Sequence, residues 1–99
     1  MDIIQTQDEK AVILELTGRL DTVTSPKFQD VLLEAISLSL DIVLDFTGVD
    51  YISSAGLRVL LLGQKNIQAD GRSMTLKNVS SDVMEIFNVT GFSGMLTIL

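Results

Sequence analysis

The chain has 99 residues, a formal net charge of −6, and no cysteine, histidine or tryptophan. The missing cysteine excludes disulfides and Cys-based metal sites, and the missing histidine excludes His-based acid–base catalysis. Seven Lys and Arg against 13 Asp and Glu argue against nucleic-acid binding. The hydrophobic content of 46% and the mean hydropathy of +0.41 are too high for a disordered chain, so we expect a single domain over residues 1–99.

The first two predicted elements are strands. Ile3–Gln7 and Ala11–Thr17 are short runs rich in β-branched residues, and the charged residues between them predict a hairpin. Gly18 is expected to end the second strand. The N-terminus lacks the basic start and long apolar run of a signal peptide, and no later run is long enough to span a bilayer. We therefore expect a cytoplasmic protein without a membrane role.

A helix and a strand follow. Ser25 and Pro26 form a helix-start signal in which Ser25 is a candidate cap. Apolar residues at three- and four-residue spacing then predict a helix from about Pro26 to Leu40. The apolar run Asp41–Phe46 predicts a buried strand, and residues 47–50 are expected to form a loop.

The remaining elements continue the alternation of helices and strands. A second helix is predicted to begin near Ser53 or Ser54 and to end at about Ala69, because Asp70 and Gly71 form a stop signal. After it we expect a strand, a helix with Ser80 or Ser81 as its cap, a turn at Gly91 and Gly94, and a last strand; their ranges are Ser73–Lys77, Ser80–Asn88 and Met95–Leu99. The order β-β-α-β-α-β-α-β predicts an α/β fold with parallel strands after an antiparallel start.

The start of the second helix is the most informative segment. A serine there has two interpretations: a plain helix cap, or a functional hydroxyl at the positive end of the helix dipole. At about 100° per residue, Leu57, Arg58 and Leu61 fall on the same side of the helix as Ser54. The leucines either form a contact surface for a partner or are covered by a neighbouring helix, and the pattern alone leaves both possibilities open.

Four segments together resemble one family, the anti-sigma factor antagonists, which are built on a STAS domain. Ser53–Leu57 (SSAGL) is similar to the family's D-S-S-G-L phosphorylation motif. The other three segments are Leu16–Asp21, similar to L-x-G-x-L-D, Ile42–Ile52, similar to the family's strand and loop, and Phe87–Phe92, similar to F-x-x-x-G-L/F. The resemblance covers nearly the whole chain, and it implies a mixed, mostly parallel sheet of four to five strands with helices packed mainly on one face.

The resemblance also implies a function and a site. The unphosphorylated antagonist binds an anti-sigma factor that is itself a GHKL-type serine kinase, which releases the sigma factor. Phosphorylation ends that binding, and a PP2C-type phosphatase reverses it. The matching acceptor here is Ser54, with Ser53 as the less favoured one. The residues expected to bind the partner are Asp21, Thr24, Ser53, Ser54, Gly56, Leu57, Arg58 and Leu61, and the free protein is expected to be a monomer.

This sequence departs from the motif at two positions, because Ser53 replaces its Asp and Ala55 replaces its second Ser. The chain also ends where many members continue into a final helix. An alternative function is that of a non-phosphorylated STAS scaffold subunit in a stress-sensing or transport complex. A serine enzyme would need an unusual Ser–Lys arrangement, since no histidine is available, so we expect neither catalysis nor a cofactor or metal.

Overall fold

The computed structural model describes all residues from Met1 to Leu99 as five strands, three α-helices and one short 3-10 turn. The strands are β1 (Asp2–Gln7), β2 (Ala11–Leu20), β3 (Asp41–Ile52), β4 (Met74–Lys77) and β5 (Thr97–Ile98). The helices are α1 (Ser25–Ile36), α2 (Ser54–Ala69) and α3 (Ser81–Thr90), and the 3-10 turn covers Phe92–Gly94. The predicted order of elements is confirmed.

The strands form one sheet in the order β1-β2-β3-β4-β5. The β1–β2 pair is antiparallel, and the other three pairs are parallel. Parallel neighbours need crossover connections, and the three helices provide them. This is the mixed, mostly parallel sheet that the sequence predicts.

The helices cover one face of the sheet. Alternate residues of the central strands point into the core and are buried: Val12, Leu14, Leu16, Ile42, Leu44, Phe46, Met74 and Leu76. The residues between them on the strands are half-buried or exposed. The rings of Phe46 on β3 and Phe87 on α3 lie 6.3 Å apart between centroids, so α3 packs directly on the sheet.

The two central strands are longer than predicted. β2 continues through Gly18, which adopts a φ of +111° that favours glycine, and β3 continues through residues 47–50, so the predicted loop there is wrong. Gly48 is needed for close strand approach, because a Cβ there would lie 2.9 Å from Thr17 Oγ1 and 3.0 Å from the Leu16 carbonyl oxygen. The β2–β3 register shifts between Glu15 and Thr17 and again between Gly18 and Arg19, so the two irregularities lie within continuous pairing.

Three local expectations near helix and strand ends also need correction. α1 ends at Ile36 instead of Leu40, and Ser39, with a φ of +64°, lies in the turn that follows. Ser25 is not the cap of α1: Thr24 holds that position, and the Ser25 hydroxyl donates to the carbonyl oxygen of Asp21. The last strand, β5, is shorter than the predicted Met95–Leu99. Met95 and Leu96 lie in a turn instead, where their N–H groups donate to the Phe92 carbonyl oxygen.

None of the helices combines the length and hydrophobicity needed to cross a membrane.

Candidate functional site

The first turn of α2 rests on the end of β2. The Ser53 N–H donates to the Leu20 carbonyl oxygen at 2.9 Å, and the Leu57 N–H donates to the Ser53 carbonyl oxygen at 3.0 Å. Gly56 permits this contact, because a Cβ there would lie 2.7 Å from Leu20 Cγ and 2.8 Å from Ile52 Cγ1. Gly56 is buried, so it supports the site through its backbone.

The two serines at this helix start have different surroundings. Ser53 is the N-cap residue, but its side chain makes no cap hydrogen bond, and its Oγ is buried without a partner. Ser54 is the first residue of α2 and is exposed. The plain-cap interpretation therefore does not apply to Ser54. Of the two hydroxyl groups, only that of Ser54 belongs to an exposed residue.

A groove lies beside Ser54 between α2 and the end of α3. It has a volume of about 340 Å³ and is lined by Ser54, Leu57, Arg58, Leu61, Thr90 and Phe92. Leu57 is only 6% exposed, so it lies deep in the packing and not on an open contact surface, whereas Leu61 is half-buried. The two possibilities raised by the sequence, a covered leucine and a contact surface, therefore apply to different residues. The fold covers Leu57 almost completely and leaves part of Leu61 open.

Arg58 lies between this groove and a second hollow. The second hollow, of about 250 Å³, separates the start of α1 from the first turns of α2, and its lining is more polar: Thr22, Ser25, Pro26, Gln29, Asp30, Ala55, Arg58 and Val59. Arg58 is exposed and forms no ion pair. Neither hollow is lined by a lysine.

The loop from β2 to α1 is held by Asp21 and Thr24. Asp21 Oδ1 accepts from the N–H groups of Val23 at 3.0 Å and Thr24 at 3.1 Å, while Thr24 Oγ1 donates to the Arg19 carbonyl oxygen at 2.7 Å. The Thr24 N–H bond is the main cause that lowers the pKa of Asp21 below its ordinary value of 3.8. Both side chains thus have a structural role in fixing the loop beside α2.

Residues 3–98 match the family model described as "Mlab, STAS domain". The chain belongs to the STAS domain family.

This STAS domain is similar to known anti-sigma factor antagonists. It is 25% identical over 92 residues to the anti-sigma-B factor antagonist of Bacillus subtilis (strain 168), covering 93% of this chain and 84% of that protein. It is 29% identical over 97 residues to the anti-sigma-B factor antagonist of Listeria monocytogenes, covering 96% and 84% respectively. The anti-sigma factor antagonist SpoIIAA in its unphosphorylated form has the same fold, with a TM-score of 0.83 and 19% identity over 99% of this chain and 88% of that one.

Two parts of the neighbourhood of Ser54 were missed by sequence reasoning. Thr90, the last residue of α3, and Phe92, in the 3-10 turn that follows it, complete the groove. Arg19 lies 4.4 Å from the ring centroid of Tyr51, and its Nε lies 3.6 Å from Asp21 Oδ2. Arg19 and Tyr51 are paired in the β2–β3 register. The predicted strands ended before both residues, so the sequence did not indicate this pair.

Proposed function

We propose that this STAS domain is an anti-sigma factor antagonist that binds its anti-sigma factor when Ser54 is free and releases it when Ser54 is phosphorylated. The observation that carries the proposal is the exposed Ser54 hydroxyl at the first residue of α2, beside an open groove and an unpaired Arg58. The two anti-sigma-B factor antagonists to which the chain is similar support the regulatory function. The protein acts by binding, and it performs no reaction of its own.

Phosphorylation would change the charge of this surface while leaving the fold intact. A phosphoserine adds about −1.5 to −2 charge. At a helix N-terminus the free N–H groups and the dipole favour negative charge, so the modified Ser54 does not oppose the helix. A partner that packs around Ser54 would have to remove water from the phosphate and would meet its charge. We therefore expect lost binding without unfolding.

Arg58 is placed to respond to the same modification. It follows Ser54 by four residues on α2, which puts the two side chains on neighbouring turns of one face. A phosphate on Ser54 would attract the Arg58 guanidinium, which has no other ion pair. Arg58 would then be withdrawn from the partner, which adds to the loss of binding.

The enzymes that switch the protein belong to the same proposal. By resemblance, the anti-sigma factor is a GHKL-type serine kinase that phosphorylates Ser54, and a PP2C-type phosphatase removes the phosphate. The alternative, a scaffold STAS subunit that is never phosphorylated, predicts no phosphate at Ser54 and a binding surface that is insensitive to charge there.

The first test is phosphate transfer. The protein is incubated with ATP and a purified GHKL-type anti-sigma factor of its own organism, and the modified residue is located by mass spectrometry. Wild type, Ser53→Ala and Ser81→Ala are expected to accept one phosphate, whereas Ser54→Ala accepts none. Ser81 is a matched control because it is the exposed first residue of α3, as Ser54 is of α2.

The second test is binding of the same anti-sigma factor, measured by isothermal titration calorimetry. Ser54→Asp is expected to weaken binding at least tenfold, and Ser81→Asp is expected to bind like wild type. Phosphate on another residue, or equal affinity of Ser54→Asp and wild type, contradicts the switch. If no anti-sigma factor of the organism binds the wild-type protein, the antagonist function itself is wrong.

A further inference from the structure

The groove beside Ser54 is an apolar depression that the fold leaves open. Leu57 lies in it almost wholly buried, while Leu61 and Phe92 are half-buried. Thr90 stands at its edge, exposed, with its hydroxyl turned inward to donate to the Ile86 carbonyl oxygen at 2.7 Å. Thr90 is one of the six residues that line the groove. No hydrogen bond or ion pair within the chain involves the side chain of Ser54 or Arg58.

The rim of the groove carries a charge opposite to that of the molecule. The chain has a net charge of −6, yet the one charged residue in the lining is Arg58. A guanidinium without a partner at the edge of an apolar depression matches a carboxylate placed next to an apolar side chain. The volume of about 340 Å³ is small for a ligand pocket, and it suits one or two side chains presented by a folded partner.

We infer that this groove receives an apolar anchor side chain of the anti-sigma factor, and that a carboxylate of the same partner pairs with Arg58. This inference rests on the proposed function and adds to it an energetic centre that extends beyond the phosphorylation motif to Leu61, Thr90 and Phe92. Thr90, at the end of α3, and Phe92, in the 3-10 turn after it, become partner-binding residues. A single apolar side chain buried in such a depression often supplies a large share of the affinity of an interface.

The groove also explains how a change at Ser54 reaches the interface core. Ser54 and Arg58 line the same depression as the apolar residues. A phosphate at Ser54 would therefore stand at the edge of the apolar anchor and draw Arg58 away from the partner's carboxylate. Both effects act at the same groove. A single phosphate therefore weakens the apolar contact of the anchor side chain and the ion pair of Arg58 together.

The test compares paired substitutions on both sides of the groove. Leu61→Glu places a charge in the groove, and Leu62→Glu places the same charge on the next residue of α2, which is exposed and does not line it. Thr90→Arg fills the groove from the opposite side, and Val89→Arg is its control at a residue that is 80% exposed. Binding to the purified anti-sigma factor is measured by calorimetry, and folding is checked by circular dichroism.

We expect Leu61→Glu and Thr90→Arg each to weaken binding by about thirtyfold or more, and the two controls to change it by less than about threefold. Arg58→Glu should weaken binding and reduce the dependence of the affinity on salt concentration. Arg58→Lys should keep most of the affinity and most of its salt dependence. Should Leu61→Glu fail to fold, Thr90→Arg still decides the question, because Thr90 is exposed in the free protein.

The outcomes separate this inference from the function on which it rests. If Ser54→Asp abolishes binding while Leu61→Glu and Thr90→Arg bind like wild type, the groove is not the anchor site and the switch stands. If the groove variants change only self-association in analytical ultracentrifugation, the occupant is a second copy of the chain and the inference is overturned. Methyl NMR of wild type with the anti-sigma factor should shift the Leu57 and Leu61 signals; unchanged signals in a saturated complex also overturn it.

Discussion

Gly56 shows how one residue positions the proposed phosphorylation site. The absence of a side chain lets α2 approach the end of β2, where a Cβ would lie 3.0 Å from the Leu20 carbonyl oxygen and closer still to the side chains of Leu20 and Ile52. The same carbonyl oxygen accepts the Ser53 N–H, so the approach and the hydrogen bond depend on each other. The place of Ser54 on the surface therefore depends on the missing side chain two residues later.

Gly56→Ala should consequently destabilise the protein. Overpacking against Leu20 and Ile52 is expected to lower the free energy of unfolding by about 1–3 kcal/mol, as measured by urea denaturation. Gly94→Ala is the control, because no atom lies within 4 Å of a Cβ at that position, and it should change stability by less than about 0.5 kcal/mol. Equal stabilities of the two variants would contradict the packing argument.

At the scale of secondary structure, the two helices that begin with serine pairs are capped differently. In α3, Ser80 Oγ accepts from the Val83 N–H at 3.2 Å, and Asp82 lies in the first turn. In α2, the Ser53 side chain accepts no such bond and the first turn has no acidic residue. α2 therefore has no side chain that offsets the positive end of its dipole, which is the end where a phosphate on Ser54 would stand.

This difference predicts unequal effects of the same substitution. Ser80→Ala should cost about 1 kcal/mol of stability, because it removes a cap hydrogen bond. Ser53→Ala should be close to neutral, because it removes an oxygen that has no partner. Chemical denaturation of both variants measures the difference, and a larger loss in Ser53→Ala would show that its hydroxyl caps α2 in solution.

At the scale of the whole molecule, hydrogen-bonded carboxylates link stability to acid pH. The pKa values of Asp8 and Asp21 are lowered mainly by N–H groups of Lys10 and Thr24 respectively. Burial acts to raise the pKa of Asp45, but hydrogen bonds from Thr47 and Asn78 and the charge of Lys77 together outweigh it. For each group the unfolded chain binds a proton more readily than the folded one. The stability that these groups contribute is present above pH of about 4 and is lost as pH falls further.

Urea denaturation between pH 6 and pH 2.5 should show this loss. Asp21→Asn is expected to be less stable than wild type at pH 6 and to approach it at low pH, because the variant has no carboxylate to protonate there. Asp50→Asn, at an exposed position on β3, removes a carboxylate that forms no hydrogen bond or ion pair within the chain, and it serves as the control. A difference between Asp21→Asn and wild type that stays constant with pH would contradict this explanation.

The sequence by itself determined the kind and order of the elements and the position of Ser54 at the start of α2. These follow from local patterns: the strand and helix periods, the serine and glycine end signals, and the order of four short motifs. Each of these patterns involves residues that are close together in the chain, so it can be recognised without knowing the tertiary structure. Of the two predicted caps of α3, Ser80 is confirmed and Ser81 is the first helical residue; the cap bond joins residues only three apart, so a local pattern can express it.

Only the tertiary structure decided the strand ends and the composition of the groove. Gly18 and Gly48 look like breakers in sequence, yet parallel pairing with residues about 30 positions away keeps both within continuous strands. Leu57 and Leu61 share one helix face, yet Leu57 is 6% exposed and Leu61 is half-buried, and both line a groove with Thr90 at the end of α3 and Phe92 after it. Burial and groove shape arise from contacts between distant segments, and a local period contains no information about which segments meet.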